Sequence, residues 1–225
     1  MGLEQATSQE AIAFELLMMV KSGNMPVNGQ YLLAKRGVDL VLSILLIAGV
    51  LSWLLPLLAL MVVVDSRGPV LFLQRRIGMG GRIFTCIKLR TMYVNAKADQ
   101  QAALDNDERI TRVGRMLRKS HLDELPQLLN VLSGTMSLVG PRPYMPSDHL
   151  RFSQVVPDHE LRHLVKPGIT GLAQLRGSKG PVTDNQMIFL RWQWDTFYIS
   201  HASFFLDLRI LHETLLLLFA QKVTV

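Results

Sequence analysis

From Leu40 to Val64 the chain carries no charged residue, about 25 consecutive positions, long enough for a helix at bilayer depth. Pro56 lies inside this block, where its ring and missing N–H disrupt the preceding helical turn. The limb from Leu40 to Leu55 then reaches roughly 24 Å at about 1.5 Å per residue, short of a hydrocarbon core of about 30 Å. Ser52, just before the break, is placed to bond a freed carbonyl. Lys35 and Arg36 precede the block, and Arg67, Arg75 and Arg76 follow it. Basic residues on both flanks favour keeping both ends in the cytoplasm. The pattern predicts a re-entrant helix–break–helix over 33–66, broken at Ser52 and Pro56, with a kinked single span as the alternative.

Residues 1–32 form an N-terminal extension. Its acidic residues Glu4, Glu10 and Glu15 precede the first basic one, Lys21, an order that argues against a secretory signal. Ser8 to Val20 reads either as an amphipathic tethering helix or as a poorly ordered stretch. At the other end, Ser203 to Ala220 (SFFLDLRILHETLLLLFA) has helical periodicity interrupted by Asp207, Arg209, His212 and Glu213. It suits a core-packing helix or an interfacial amphipathic one. Most of the charge lies between, in a cytosolic or interfacial domain over 67–225. There Pro69 to Gln74 and Ile83 to Leu89 read as strands around a plain turn at Gly78, Gly80 and Gly81, a small β-hairpin. Tyr93 to Arg118 is helical in parts, with Asp105 or Asn106 as caps. The fold class expected is α+β, predominantly helical.

Charge narrows the partners. A net charge of +6 suits a phosphate-rich partner: nucleic acid, anionic lipid or a nucleotide. A nucleic-acid binder would leave the apolar block unexplained, and no helix-turn-helix, zinc or aromatic RNA-binding signature is present. Cys86 is the only cysteine, which excludes an internal disulfide and a multi-cysteine zinc site. No Ser/His/Asp constellation or HExxH motif occurs either. His121 and His163 offer acid/base groups or merely structural ones.

The densest chemistry follows the basic run Arg112, Arg115, Arg118 and Lys119, which leads into the pair Asp123-Glu124. Pro126 is accepted in a first helical turn and disfavours the helical region for Leu125. A helix therefore starts around Leu125 to Gln127 and runs to Ser133, with Gly134 at its C-terminus. The carboxylates sit at its N-terminal end, as plain caps or beside a bound phosphate. SLVGPRP (Ser137–Pro143) holds Arg142 between prolines, which suits a fixed guanidinium facing an anion. KPGITG (Lys166–Gly171) is a further Pro/Gly-punctuated turn.

Taken together, KRGVDL (Lys35–Leu40), QRRIG (Gln74–Gly78), KLRTM (Lys88–Met92), RITRVGRMLRKSHLDELPQLLNVLSG (Arg109–Gly134), SLVGPRP and LRHLVKPGITGLAQLRG (Leu161–Gly177) occur in the order of the bacterial sugar transferases. Over roughly 33–215 the chain resembles their small monotopic phosphoglycosyl transferases. That resemblance implies a reaction in which a UDP-sugar gives its sugar-1-phosphate to the enzyme, releasing UMP, and undecaprenyl phosphate then takes it. It implies Asp123 as nucleophile through an aspartyl-phosphosugar intermediate, Glu124 assisting, and Mg²⁺ held by Asp123 and Glu124. By motif position Lys88, Arg118 and Arg142 bind phosphate. It further implies a place in a single leaflet at the cytoplasmic face of the bacterial inner membrane, at the first membrane step of surface polysaccharide or glycoconjugate synthesis. A homodimer is compatible with it.

Two positions depart from the family pattern: Trp53 stands where Pro follows the serine of the break, and Thr135 stands where many relatives have Asp. Larger relatives carry further membrane spans before the transferase unit; this chain reads as a catalytic unit with a short extension. Residues from Arg162 to Arg176 and around Trp194 to Tyr198 are candidates for the sugar pocket. The competing reading is a non-catalytic membrane-associated interaction protein that binds anionic lipid through its basic middle.

Overall fold

A computed structural model describes residues 27–94, 107–156, 158–177, 182 and 184–220, together with Glu15 and Met18. The readings for the rest of Ser8 to Val20, and for Asp105 and Asn106 as caps, lie outside the described residues.

The apolar block forms helix α1 (Gly29–Leu46), a π-helical turn (Ile47–Leu51) and helix α2 (Ser52–Asp65). The expected break at Ser52 and Pro56 does not interrupt the helix: Leu51 (φ −67°, ψ −31°) and Ser52 (φ −56°, ψ −39°) keep helical dihedrals. The reason is local. Pro56 has no N–H to give the turn before it, and the chain widens one turn earlier, where the Ser52 N–H bonds the Ile47 carbonyl. Side chains help satisfy the loosened turn. Ser52 Oγ donates to the Ala48 carbonyl (2.7 Å) and Trp53 Nε1 to that of Gly49 (2.8 Å). Ser52 thus does what its position suggested, and Trp53 supplies a second donor.

Both ends of this long helix are tied to one body. Near its start Lys35 pairs with Asp207 (2.7 Å), Arg36 donates to the Val131 and Leu132 carbonyls, and Asp39 accepts from the Leu138 N–H. Near its end Asp65 accepts from the Val113 N–H (3.0 Å), and Leu58 and Val62 pack against Leu89 and Leu117. Between these anchorages Ile44, Leu45, Trp53, Leu57 and Leu60 are exposed.

Strands β1 (Leu71–Ile77) and β2 (Ile83–Leu89) pair antiparallel with Gln74 opposite Cys86. The predicted hairpin is present, its first strand shifted along to include Arg75 and Arg76, and Gly80 and Gly81 make the turn with positive φ. Alternation sends Gln74 and Cys86 into the interior and leaves Leu71, Leu73 and Ile83 outside. Helix α3 (Arg112–Lys119) is capped by Thr111, whose Oγ1 accepts the Gly114 N–H at 2.9 Å. A Cβ at Gly114 would lie 2.0 Å from the Thr91 carbonyl, so this helix rests directly on the chain leaving β2.

A 3₁₀ turn (Leu122–Glu124) leads to helix α4 (Gln127–Leu132), which ends before Gly134 as expected. Leu125, however, is helical (φ −55°, ψ −37°) despite preceding Pro126. It fuses the 3₁₀ turn to α4 and overrides the steric preference of a pre-proline residue.

Strands β3 (Ser137–Val139) and β4 (Gly168–Thr170) form a parallel pair. The chain passes so closely here that a Cβ at Gly140 would lie 2.4 Å from the Lys166 carbonyl. Helices α5 (Pro146–Ser153), α6 (Leu172–Leu175), α7 (Asn185–Ser200) and α8 (Phe204–Ala220) complete the described elements, with a 3₁₀ segment at His159–Leu164. Leu128, Val131, Met136, Phe152, Trp192 and Ile210 share the main core. Helix α8 buries Asp207 and Ile210, while Phe205, Leu215 and Leu216 are exposed.

Candidate active site

Three elements converge on Asp123-Glu124. The 3₁₀ turn presents the two carboxylates, preceded by His121 in the left-handed region (φ 57°). Alternation along β2 turns Lys88 toward them, and its Nζ lies 2.7 Å from Glu124 Oε1. From the proline-flanked segment Arg142 contributes Nη2 at 2.8 Å from Glu124 Oε1 and Nη1 at 3.4 Å from Oε2. Arg118, in the last turn of α3, is held by Thr91 through Nε–H···Oγ1 at 2.8 Å. Arg112, Arg115 and Lys119 of the same basic run are exposed.

The two carboxylates differ. Burial works to raise Glu124, yet the Arg142 and Lys88 charges outweigh it and hold this carboxyl well below the usual carboxylate range. Asp123 makes no hydrogen bond or ion pair among the described residues, although it is only 8% exposed. Burial, then the neighbouring Glu124 charge, push it up to about 6, against the pull of Lys88, Arg118 and Arg142. At neutral pH it is ionised, without a partner among the described residues, and within the field of three cations. A carboxylate so placed suits attack on an electrophile that brings negative charge with it.

Of the residues singled out in the sequence, Glu124, Lys88 and Arg142 meet directly, while Asp123 and Arg118 join them through charge. Ser52 and Pro56 belong to the helix irregularity. Thr135 lies at the other end of α4, where its Oγ1 donates to the Asn130 carbonyl (3.1 Å); Asn130 in turn bonds Thr85 and Ile87 of β2. His121 is exposed. His163 sits with His149 and His159, and burial pushes it down to about 4, so its imidazole is neutral at pH 7.

Arg142 borders a small recess, room for about one water, also lined by Ile77, Gly78, Tyr144, Arg162 and His163. Four residues support the site in ways the sequence did not indicate: Thr91, Arg76 and the buried pair Arg162–Asp195 (2.7 Å). Signals existed for two of them. Arg76 falls on the inward face of a strand, and Asp195 interrupts the aromatic run WQWDTFY.

Two carboxylates also bear on a metal. Among the described residues no group of three or more His, Cys, Asp or Glu could hold an ion. Mg²⁺ commonly takes one or two carboxylates and completes its shell with waters and substrate phosphates. The pair Asp123 and Glu124 fits that kind of ion.

Comparison with known proteins locates these motifs. The family model described as "Bacterial sugar transferase" matches residues 30–221. The chain is 39% identical over 217 residues to a UDP-glucose:undecaprenyl-phosphate glucose-1-phosphate transferase of Xanthomonas campestris pv. campestris, covering 96% of this chain and 45% of that protein. It is 39% identical over 186 residues to a UDP-N-acetylgalactosamine-undecaprenyl-phosphate N-acetylgalactosaminephosphotransferase of Aeromonas hydrophila, covering 82% and 43%. An exopolysaccharide production protein of Rhizobium leguminosarum bv. phaseoli is 39% identical over 188 residues, 81% of this chain and 94% of its own length. The chain thus spans less than half of the first two relatives.

Proposed function

The chain belongs to the bacterial sugar transferase family, and from that premise we propose that it transfers a sugar-1-phosphate from a UDP-sugar to undecaprenyl phosphate, releasing UMP. The observation that carries this reading is Asp123, a buried carboxylate left without a partner among the described residues while Lys88 and Arg142 both engage its neighbour.

In the first step an Asp123 oxygen attacks the β-phosphorus of the UDP-sugar. The bond from that phosphorus to the bridging oxygen breaks, and UMP leaves with the electron pair. In the second step an oxygen of undecaprenyl phosphate attacks the same phosphorus, forming the diphosphate link and returning Asp123 as a free carboxylate. Splitting the transfer lets one anionic substrate leave before the other reacts. Lys88, Arg118 and Arg142 offset the charge that accumulates on the phosphoryl oxygens. Glu124 holds Lys88 and Arg142 in place. Mg²⁺, held by Asp123 and Glu124, would neutralise the diphosphate when bound.

The acceptor's phosphate lies at a bilayer surface, and the long helix suits that address. Its two ends are bonded to one body while its middle exposes apolar side chains. This supports a helix dipping into one leaflet from the cytoplasmic face of the inner membrane, joined at the interface by the exposed apolar face of α8.

The test is UMP release from a panel of UDP-sugars with undecaprenyl phosphate and Mg²⁺. Relatives named for glucose and for N-acetylgalactosamine make these the first donors to try. With donor alone, the peptide containing Asp123 should gain the mass of one sugar-phosphate. Turnover without any trappable adduct would defeat the two-step scheme; no turnover with any donor would defeat the transfer reading.

A further inference from the structure

Four consecutive carbonyls around Arg142 are each bonded from elsewhere in the fold. Pro141 O accepts the Gly168 N–H (2.9 Å), Arg142 O accepts Arg162 Nη2–H (2.8 Å), Pro143 O accepts Arg76 Nη1–H (3.0 Å), and Tyr144 O accepts the Ile77 N–H (3.0 Å). Pro141 and Pro143 have no N–H, so the segment on either side of Arg142 depends on its carbonyls for such anchoring.

The bond at Arg142 itself is unusual in its source. Arg162 is 4% exposed, its Nη2 also donates to Asp195 Oδ2 at 2.7 Å, and its guanidinium carbon lies 3.7 Å from the Tyr144 ring centroid. Stability is a poor reason for such a residue, since a buried ion pair is often no better than apolar side chains filling the same space. Its planar fork instead does something an apolar group cannot: with one edge fixed by Asp195 and one face by Tyr144, it fixes the Arg142 carbonyl. The Arg142 side chain, 32% exposed, is then left to reach Glu124 and to meet solvent.

We propose that Arg162 is a positioning residue for Arg142, holding that guanidinium in register with Glu124 and with the phosphate being transferred, and that Asp195 acts through Arg162. This inference rests on the sugar-1-phosphate transfer reading. It requires Arg162 to matter only while Arg142 can act, which a merely structural role does not.

A double-mutant cycle separates the two. Arg162→Lys is assayed for UMP release alone and in an Arg142→Lys background, with wild type and thermal unfolding alongside. Alone, it should lower kcat about 10- to 100-fold, the scale of a misplaced catalytic group. The KM for UDP-sugar should move less than about threefold, as expected for a group whose effect is felt mainly in the transition state. In the Arg142→Lys background the same change should cost less than about twofold, because residues acting as a unit are non-additive. Asp195→Asn, which keeps the side chain's shape, should show the same dependence and serves if Arg162→Lys does not fold. Losses that multiply equally in both backgrounds overturn the inference while leaving the transfer reading intact. A wild type that releases no UMP from any donor overturns both.

Discussion

Asp123 and Glu124 are adjacent in the chain, and burial penalises the charge of both. On the Glu124 side the fold brings up Lys88 and Arg142, each within 3 Å of Oε1. On the Asp123 side Lys88, Arg118 and Arg142 act through space alone, and the carboxylate is unpaired among the described residues. Glu124 is therefore ionised to the fold's advantage and Asp123 at its expense. A charge already settled by salt bridges is a poor nucleophile, whereas an unsettled one beside cations holds reactivity that an incoming phosphate can use. The difference supports the proposal that Asp123 carries the chemistry while Glu124 organises the cations.

The largest effects expected should split the pair. Asp123→Asn should lower UMP release by at least about a thousandfold, since it removes the attacking oxygen's charge. It should nevertheless raise stability, because a rise from 3.8 to about 6 corresponds to a charge penalty of roughly 3 kcal/mol at neutral pH, an upper figure for the gain. Glu124→Gln should do the reverse to stability. Leaving Lys88 and Arg142 facing an uncharged amide should cost about 3–5 kcal/mol, the scale for breaking a buried pair. Unfolding of both variants in detergent, by heat or urea, makes the comparison, and equal destabilisation of the two would break it.

Dependence on pH should sharpen it next. Asp123 is raised in the fold, so its penalty is present above about pH 6 and is relieved as the pH falls toward 3.8. Glu124 is depressed, so its contribution persists down to its unfolded value of 4.5 and is lost only below that. Between pH 7.5 and 5, metal-free wild type should gain stability through Asp123, and Asp123→Asn should lack that gain. UMP release should fall toward acid as the attacking carboxylate protonates, with its limb at or below about 6, because bound Mg²⁺ favours the ionised form. An acid limb well above 6 would place the nucleophile in a more desolvated setting than the one described.

How much of this was legible beforehand follows from the range of each signal. The apolar helix and the hairpin are written in local periodicity. Pro126 and Gly134 bracket α4 nearly to the residue. The irregularity expected near Ser52 and Pro56 lies one turn earlier, as a π-turn that the Ser52 hydroxyl and the Trp53 indole both help satisfy; the sequence shows the proline but not the indole's reach to a carbonyl. The β3–β4 pair was invisible because three-residue strands show too little alternation. Asp123 and Glu124 could be named as a pair, but their opposite states depend on Lys88, 36 positions from Glu124, and Arg142, 18 away. Arg162 and Asp195, 33 apart, lie in segments that the sequence marks only as candidates for the sugar pocket.

The smallest expected effect tests whether the cations near Asp123 act through space as described. Thr91 is buried, and its hydroxyl fixes Arg118 without touching either carboxylate. Thr91→Val removes that bond and leaves the backbone contacts of Thr91 with α3 in place. Net stability should fall by about 1 kcal/mol, the usual worth of one hydrogen bond. With Arg118 less well held, its pull on Asp123 weakens, and the acid limb should move up by a few tenths of a pH unit. Glu124 should keep its state, since Lys88 and Arg142 hold it rather than Arg118. A limb that does not move would make Arg118 a bystander, leaving Lys88 and Arg142 to carry the field at Asp123. A shift of a full unit or more would mean that the nucleophile depends chiefly on α3, with the Glu124 side secondary.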